Sequence, residues 1–196
     1  MDAEHKIKSF IMGNHIINDD LNSVESLYAI KLGHISTTET NIEDVYYPQF
    51  EAAVRTEAAL MAKHYEVIYC LEKSIRQLIS ETISEVEKTE EWWESPRVPP
   101  HIKGEVSSRI TKERDAGVTP RSDDELDYTT LGELAAIITS NWDIFGGIFS
   151  KGKKAVERVM GNLNTLRAPI AHCSPLAEDE VLRLQLTIRD WFRLMS

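Results

Sequence analysis

The chain has 196 residues, 42% hydrophobic and 28% charged, with two cysteines and a formal net charge of −10. That composition belongs to a globular domain large enough to bury a core. It holds no apolar run near the ~20 residues needed to cross a bilayer, and its acidity argues against broad non-specific binding to nucleic acid. Cys70 and Cys173 form neither a metal-spaced pair nor a disulfide framework. Met1–Lys6 lacks the basic stretch leading into an apolar core that marks a secretory signal. The expected setting is therefore reducing and cytoplasmic, without a membrane partner, and no metal or cofactor site is read from the sequence.

Residues 1–47 show only small apolar clusters and a polar stretch from Thr37 to Asp44. They are expected to form an appendage with a short helix over about 21–32, ended by Gly33. Residues 48–196 are expected to form the main helical domain. Pro48 suits a first helical turn, and no Gly or Pro follows from Phe50 to Ser95. Leu60, His64, Ile68, Leu71, Ile75, Leu78, Ile79, Ile83 and Val86 recur at steps of three or four, which predicts one long helix or two nearly collinear ones. The stretch Trp92 to Pro100 is expected to end it.

Residues 105–115 predict a short polar helix, and Gly117 to Asp124 a loop. Asp127 reads as an N-cap, with Thr130 and Glu133 as a capping box. Leu131, Leu134, Ile138 and Trp142 then supply a buried face up to Gly146-Gly147. Val156, Val159, Met160, Leu163 and Leu166 form another stripe that carries Arg167. Pro169 is expected to kink or end that helix, because it cannot donate to the carbonyl of Thr165. Glu178-Asp179-Glu180 places negative charge at the start of a last helix, whose Val181, Leu184, Ile188, Trp191, Phe192 and Met195 close the core. No alternating strand pattern and no repeat is present, so the fold is expected to be all-α.

Arg167 and His172, with four residues between them, are the one arrangement with chemical potential. Residues five apart on a straight helix point ~140° from each other, so a bend at Pro169 is expected to bring them towards one cleft. A surface arginine and a helix-capping histidine explain the spacing equally simply. The functional reading is metal-free RNA cleavage: His172, with a pKa near neutrality, handles the proton of the attacking 2′-hydroxyl. Arg167, with its planar fork, holds the scissile phosphate. A two-fold dimer would bring two such pairs together. Lys151, Lys153, Lys154 and Arg158 lie close in sequence to Arg167 and could add a basic cleft, with Lys154 and Arg158 as substrate-binding candidates.

Other candidates are weaker. His64 reads as a core histidine, Asp123, Asp124 and Asp127 as loop and cap residues, and Trp92-Trp93 as packing rather than base-stacking residues. Cys173 has no orienting partner in view. The glycines and lysines over 146–154 do not fit a phosphate loop.

Residues 90–196 resemble the HEPN superfamily of helical domains, and most closely the bacterial proteins grouped with the C-terminal domain of the nuclear Swt endoribonuclease. The resemblance rests on Trp92-Trp93 with its proline-rich turn, on residues 116–123, and on Asp127-Tyr128-Thr129-Thr130-Leu131-Gly132-Glu133-Leu134. It continues through Asn141-Trp142-Asp143-Ile144-Phe145, Leu163-Asn164-Thr165-Leu166-Arg167, Ile170-Ala171-His172 and Arg189-Asp190-Trp191. The family signature, Arg followed after four to six residues by His, falls on Arg167 and His172.

The resemblance implies a helical bundle that dimerises along the signature helices. It also implies metal-independent endoribonuclease activity in toxin–antitoxin, abortive-infection or antiphage defence roles, with an antitoxin or defence-system protein as a further partner. One position departs from the pattern. The residue after the arginine is usually polar in the family, often Asn, and here it is Ala168, which implies weakened or lost cleavage. Two rival readings follow: a HEPN module that binds a protein or nucleotide partner without cleaving, and an assembly factor in which the signature helix only makes a dimer. A basic cleft around Arg158 and Arg167 would favour the nuclease, and an uncharged apolar seam the assembly factor.

Overall fold

The computed structural model describes residues 49–195 together with Leu21 and Leu27. The chain divides into two compact units, Met1–Ala52 and Ala53–Ser196. The predicted appendage over 1–47 and its short helix fall outside the described residues, except for Leu21 and Leu27, which are helical.

The described residues form six α-helices and no strand. They are α1 (Ala52–Glu87), α2 (Pro100–Asp115), α3 (Leu131–Ser140), α4 (Trp142–Phe145), α5 (Lys153–Ala171) and α6 (Glu178–Leu194). Two single 3-10 turns, Trp92–Glu94 and Glu125–Tyr128, join them. The all-α expectation holds.

The long first helix is continuous. Its stripe works as predicted from Ile68 to Ile83, where Leu71, Ile75 and Ile79 are also buried, but Leu60 and Val86 are exposed and His64 is only half-buried. The helix stops at Glu87, before the tryptophans. Lys88 takes a left-handed φ of 56°, and the polar residues after Val86 offer nothing to bury that would sustain another turn. Trp92 is buried and Trp93 packs against the core, as expected of packing residues.

α2 begins five residues earlier than predicted, with Pro100 in its first turn. A proline suits that place, since its missing N–H is one that a first turn leaves unpaired anyway. Gly117, at φ 68°, terminates α2 in a conformation that a Cβ would disfavour. Asp127 is not the N-cap of α3. That role belongs to Thr130, whose hydroxyl accepts from the N–H of Glu133, while the Glu133 carboxylate accepts from the N–H of Thr130 at 2.7 Å. Asp124 caps the preceding 3-10 turn through the N–H of Leu126.

α5 packs against α3 and α6 and is the central strut of the bundle. Val156, Val159, Met160, Leu163 and Leu166 are buried as predicted. Pro169 was expected to kink or end the helix, and it does not end it: α5 continues to Ala171. The proline lies in the last turn, and the carbonyl of Pro169 is itself satisfied by the N–H groups of His172 and Ser174. In the last helix Leu184 and Trp191 are buried, whereas Phe192 is exposed. Adjacent residues on a helix differ by about 100° in direction, so burying Trp191 turns Phe192 outwards. Trp191 meets Phe149 edge-on, and Phe149 stacks on Trp142, which closes that end of the core.

Candidate functional site

Arg167 leaves α5 towards α1. Its Nε donates to Glu72 Oε1 at 3.0 Å, and no partner among the described residues takes either Nη. Glu72 sits on the buried stripe of α1, one residue after Leu71, and its other oxygen accepts from Arg76 Nη2 at 3.2 Å. One carboxylate thus serves two guanidinium groups, from neighbouring helices. A buried carboxylate needs such partners to remain charged.

Around this pair lies a cleft of about 520 Å³, walled by α1, the end of α5 and the segment before α3. Five cationic side chains line it, Lys73, Arg76, Arg109, Arg121 and Arg167, against the carboxylates of Glu72 and Asp127. The cations differ in what they are free to do. Arg76 donates to the carbonyls of Leu126 and Thr129 as well as to Glu72, and its side chain is only 13% exposed. It anchors the segment before α3 to α1.

Arg109 makes a two-pronged pair with Glu133 at 2.8 and 2.9 Å and also donates to the carbonyl of Tyr128. That pairing raises the guanidinium pKa further and ties α2 to the start of α3. Burial would lift the Glu133 carboxyl, but hydrogen bonds from Arg109 and Thr130 outweigh it and hold the group below its ordinary range.

Lys73, Arg121 and Arg167 are more available. Lys73 pairs with Asp127 at 3.1 Å with half its side chain exposed. Burial would raise the Asp127 carboxyl, yet Ser122, Lys73 and Arg76 together keep it low. Arg121 lies over the Tyr128 ring at 4.9 Å and bonds Glu113, whose carboxyl it depresses. Exposed ion pairs of this kind are weak and exchange readily for another anion.

His172 lies elsewhere. It caps α5 with its side chain exposed, and it does not line the cleft, although its neighbour Ala171 does. α5 runs on through Pro169 to Ala171, and the structure does not bring His172 into the cleft beside Arg167. Lys154, Arg158 and Ala168 are exposed on α5 and also lie outside the cleft lining, as do Lys151 and Lys153. At helical spacing, Lys154, Arg158, Thr165, Ala168 and His172 share one exposed face of α5. The structure therefore separates the sequence candidates into Arg167 in a cleft and the remainder on an open helix face.

The cleft cations Lys73, Arg76, Arg109 and Arg121 were missed by reading along the chain, because they come from three segments far apart in sequence. The one local signal was Lys73-Ser74-Ile75-Arg76, two cations flanking a buried position. Among the described residues no group of three or more His, Cys, Asp or Glu side chains is placed to hold a metal ion, and no helix is long and apolar enough to cross a membrane.

An all-helical bundle built around one central helix defines the class. The family model described as Swt1-like HEPN matches residues 66–196, and the chain belongs to that family. The matched segment begins within α1 and contains the whole cleft apart from the Tyr65 lip. No curated protein and no solved structure matches the chain significantly.

Proposed function

We propose that the protein is a metal-independent endoribonuclease, acting as a toxin or antiphage defence effector, with a composite site formed by two copies. The observation that carries this reading is Arg167 at the wall of a cation-lined cleft, held by Glu72 through Nε alone. Its two Nη groups suit the paired oxygens of a phosphodiester, and they can stabilise charge that develops there. His172 supplies the proton chemistry. It takes the proton of a 2′-hydroxyl as that oxygen attacks phosphorus, the new P–O2′ bond replaces the P–O5′ bond, and the departing 5′-oxygen takes up a proton from an imidazolium. The products are a 2′,3′-cyclic phosphate and a 5′-hydroxyl.

His172 does not line the cleft that holds Arg167, and this makes the second copy necessary to this reading. Lys154, Arg158, Thr165, Ala168 and His172 are exposed on α5 and at its end, and a two-fold interface would present each of them twice. The reading needs an interface that carries the second copy's His172 to the Arg167 cleft, with Arg158 and Lys154 along the RNA path. A second reading, a HEPN module that binds a partner without cleaving, draws on Ala168 and on the position of His172 outside the cleft.

The test is cleavage of a mixed cellular RNA pool with metal chelated, comparing the parent with Arg167→Ala, His172→Ala and Ala168→Asn. The ribonuclease reading expects cyclic-phosphate ends from the parent or from Ala168→Asn, and none from Arg167→Ala or His172→Ala. If no form cleaves while all remain folded dimers, catalysis is abandoned in favour of the binding module.

A further inference from the structure

The lip of the cleft carries two side chains that neither the Arg–His pair nor the core uses. Tyr65 and Tyr69 stand one turn apart on α1 and are 58% and 53% exposed. Both line the cleft that holds Arg167. They fall off the buried stripe, so core packing does not explain them. Their ring centroids are 6.1 Å apart with planes inclined at 36°, so the rings are not stacked face to face on each other. Lys73, the next residue at this spacing, continues the same line, and the track from Tyr65 to Lys73 measures about 12 Å along the helix.

From this we infer that the cleft takes single-stranded RNA along α1, with unpaired bases stacked on Tyr65 and Tyr69 and the backbone on Lys73 and Arg121, leading to Arg167. The inference rests on the reading of the cleft as an RNA site and names its substrate class. Exposed aromatic rings beside half-exposed cations are the two elements of sequence-tolerant single-strand binding, because every unpaired base has a face to stack and every linkage a phosphate. In a duplex the base faces are already occupied by neighbours, so these tyrosines would gain nothing from it. The local cations also reconcile an acidic protein of net charge −10 with an RNA ligand. The attraction is confined to one cleft.

Binding of a short unstructured 2′-O-methyl oligoribonucleotide by the full chain, measured by fluorescence anisotropy, tests this without cleavage, since the nucleophilic hydroxyl is blocked. The single strand should bind at least about tenfold more tightly than the matching duplex. Tyr65→Ala and Tyr69→Ala should each weaken it about five- to tenfold, and Tyr→Phe at the same positions should retain it. Lys73→Ala and Arg121→Ala should each lower the slope of log affinity against log salt by about 0.7.

Equal binding of single strand and duplex, or parent-like binding by both Tyr→Ala variants, overturns the inference. So does a change in sedimentation on Tyr→Ala without loss of RNA affinity, which would make the tyrosines a protein contact. The two readings fail separately. Metal-free cleavage that ignores both tyrosines would sink only the stacking track, whereas tyrosine-dependent binding without cleavage by any form, Ala168→Asn included, would sink only catalysis.

Discussion

Glu72→Ala is the perturbation that asks most of the cleft. The carboxylate is 12% exposed and accepts from Arg167 at 3.0 Å and Arg76 at 3.2 Å. Deleting one partner of a buried ion pair costs about 3–5 kcal/mol, because the remaining charge is left without compensation. Here the penalty is smaller. Arg76 keeps the carbonyls of Leu126 and Thr129, and Arg167 is 37% exposed, so water can solvate it.

About 2 kcal/mol is the expected loss, or a fall in melting temperature of about 4–8 °C for a domain of this size. Arg167 also loses its one fixed point, so its fork no longer waits in one position for phosphate. Turnover in the metal-free RNA assay should drop more than RNA affinity, because one negative charge has left the cleft. A double-mutant cycle of Glu72→Ala with Arg167→Ala isolates the pair, and a coupling of about 0.5–3 kcal/mol is expected. Parent-like melting together with an additive cycle would refute the claim that Glu72 holds Arg167.

Three further outcomes follow from the geometry. Gly146→Ala should destabilise the bundle by about 1–3 kcal/mol in chemical denaturation, because an added Cβ would lie 2.7 Å from the carbonyl oxygen of Trp142. His172→Ala should leave the melting temperature within error of the parent while abolishing any cleavage, since the side chain is exposed and outside the core. A large fall in melting temperature would instead mark it as structural.

Acid should weaken the fold through Glu133 and Asp127, whose carboxyls are both held below their ordinary values of 4.5 and 3.8. A carboxylate with a depressed folded-state pKa contributes stability that is present above the unfolded value and lost as pH falls through the folded one. Thermal melts from neutral pH downwards should therefore be flat until about pH 4–5 and then decline. Glu133→Gln should decline less steeply.

Local regularities in the chain were enough to specify much of the fold. Apolar residues at steps of three and four place Ile68 to Ile83 on one helix face and Val156 to Leu166 on another, since a helix can bury only the side that its period brings round. Thr130 and Glu133, Gly117 and the acidic start of α6 work within one turn of themselves, so their roles can be read locally. The family resemblance was legible for the same reason, and the family match bears it out. Element ends were less legible. Whether the prolines at 99, 100 and 169 stop a helix or sit in its first or last turn depends on which backbone groups nearby are satisfied by other partners, as the N–H groups of His172 and Ser174 satisfy the carbonyl of Pro169.

Tertiary structure alone decided what surrounds Arg167. Glu72 stands 95 residues away in the chain, and Arg109 and Arg121 arrive from α2 and the loop beyond it. Each reads locally as an ordinary surface charge. Only packing α1 against the end of α5 makes one carboxylate serve two arginines and gathers five cations in one cleft. Helical periodicity sets which direction a side chain leaves its own helix, but charge and proximity across helices exist only once the helices have met.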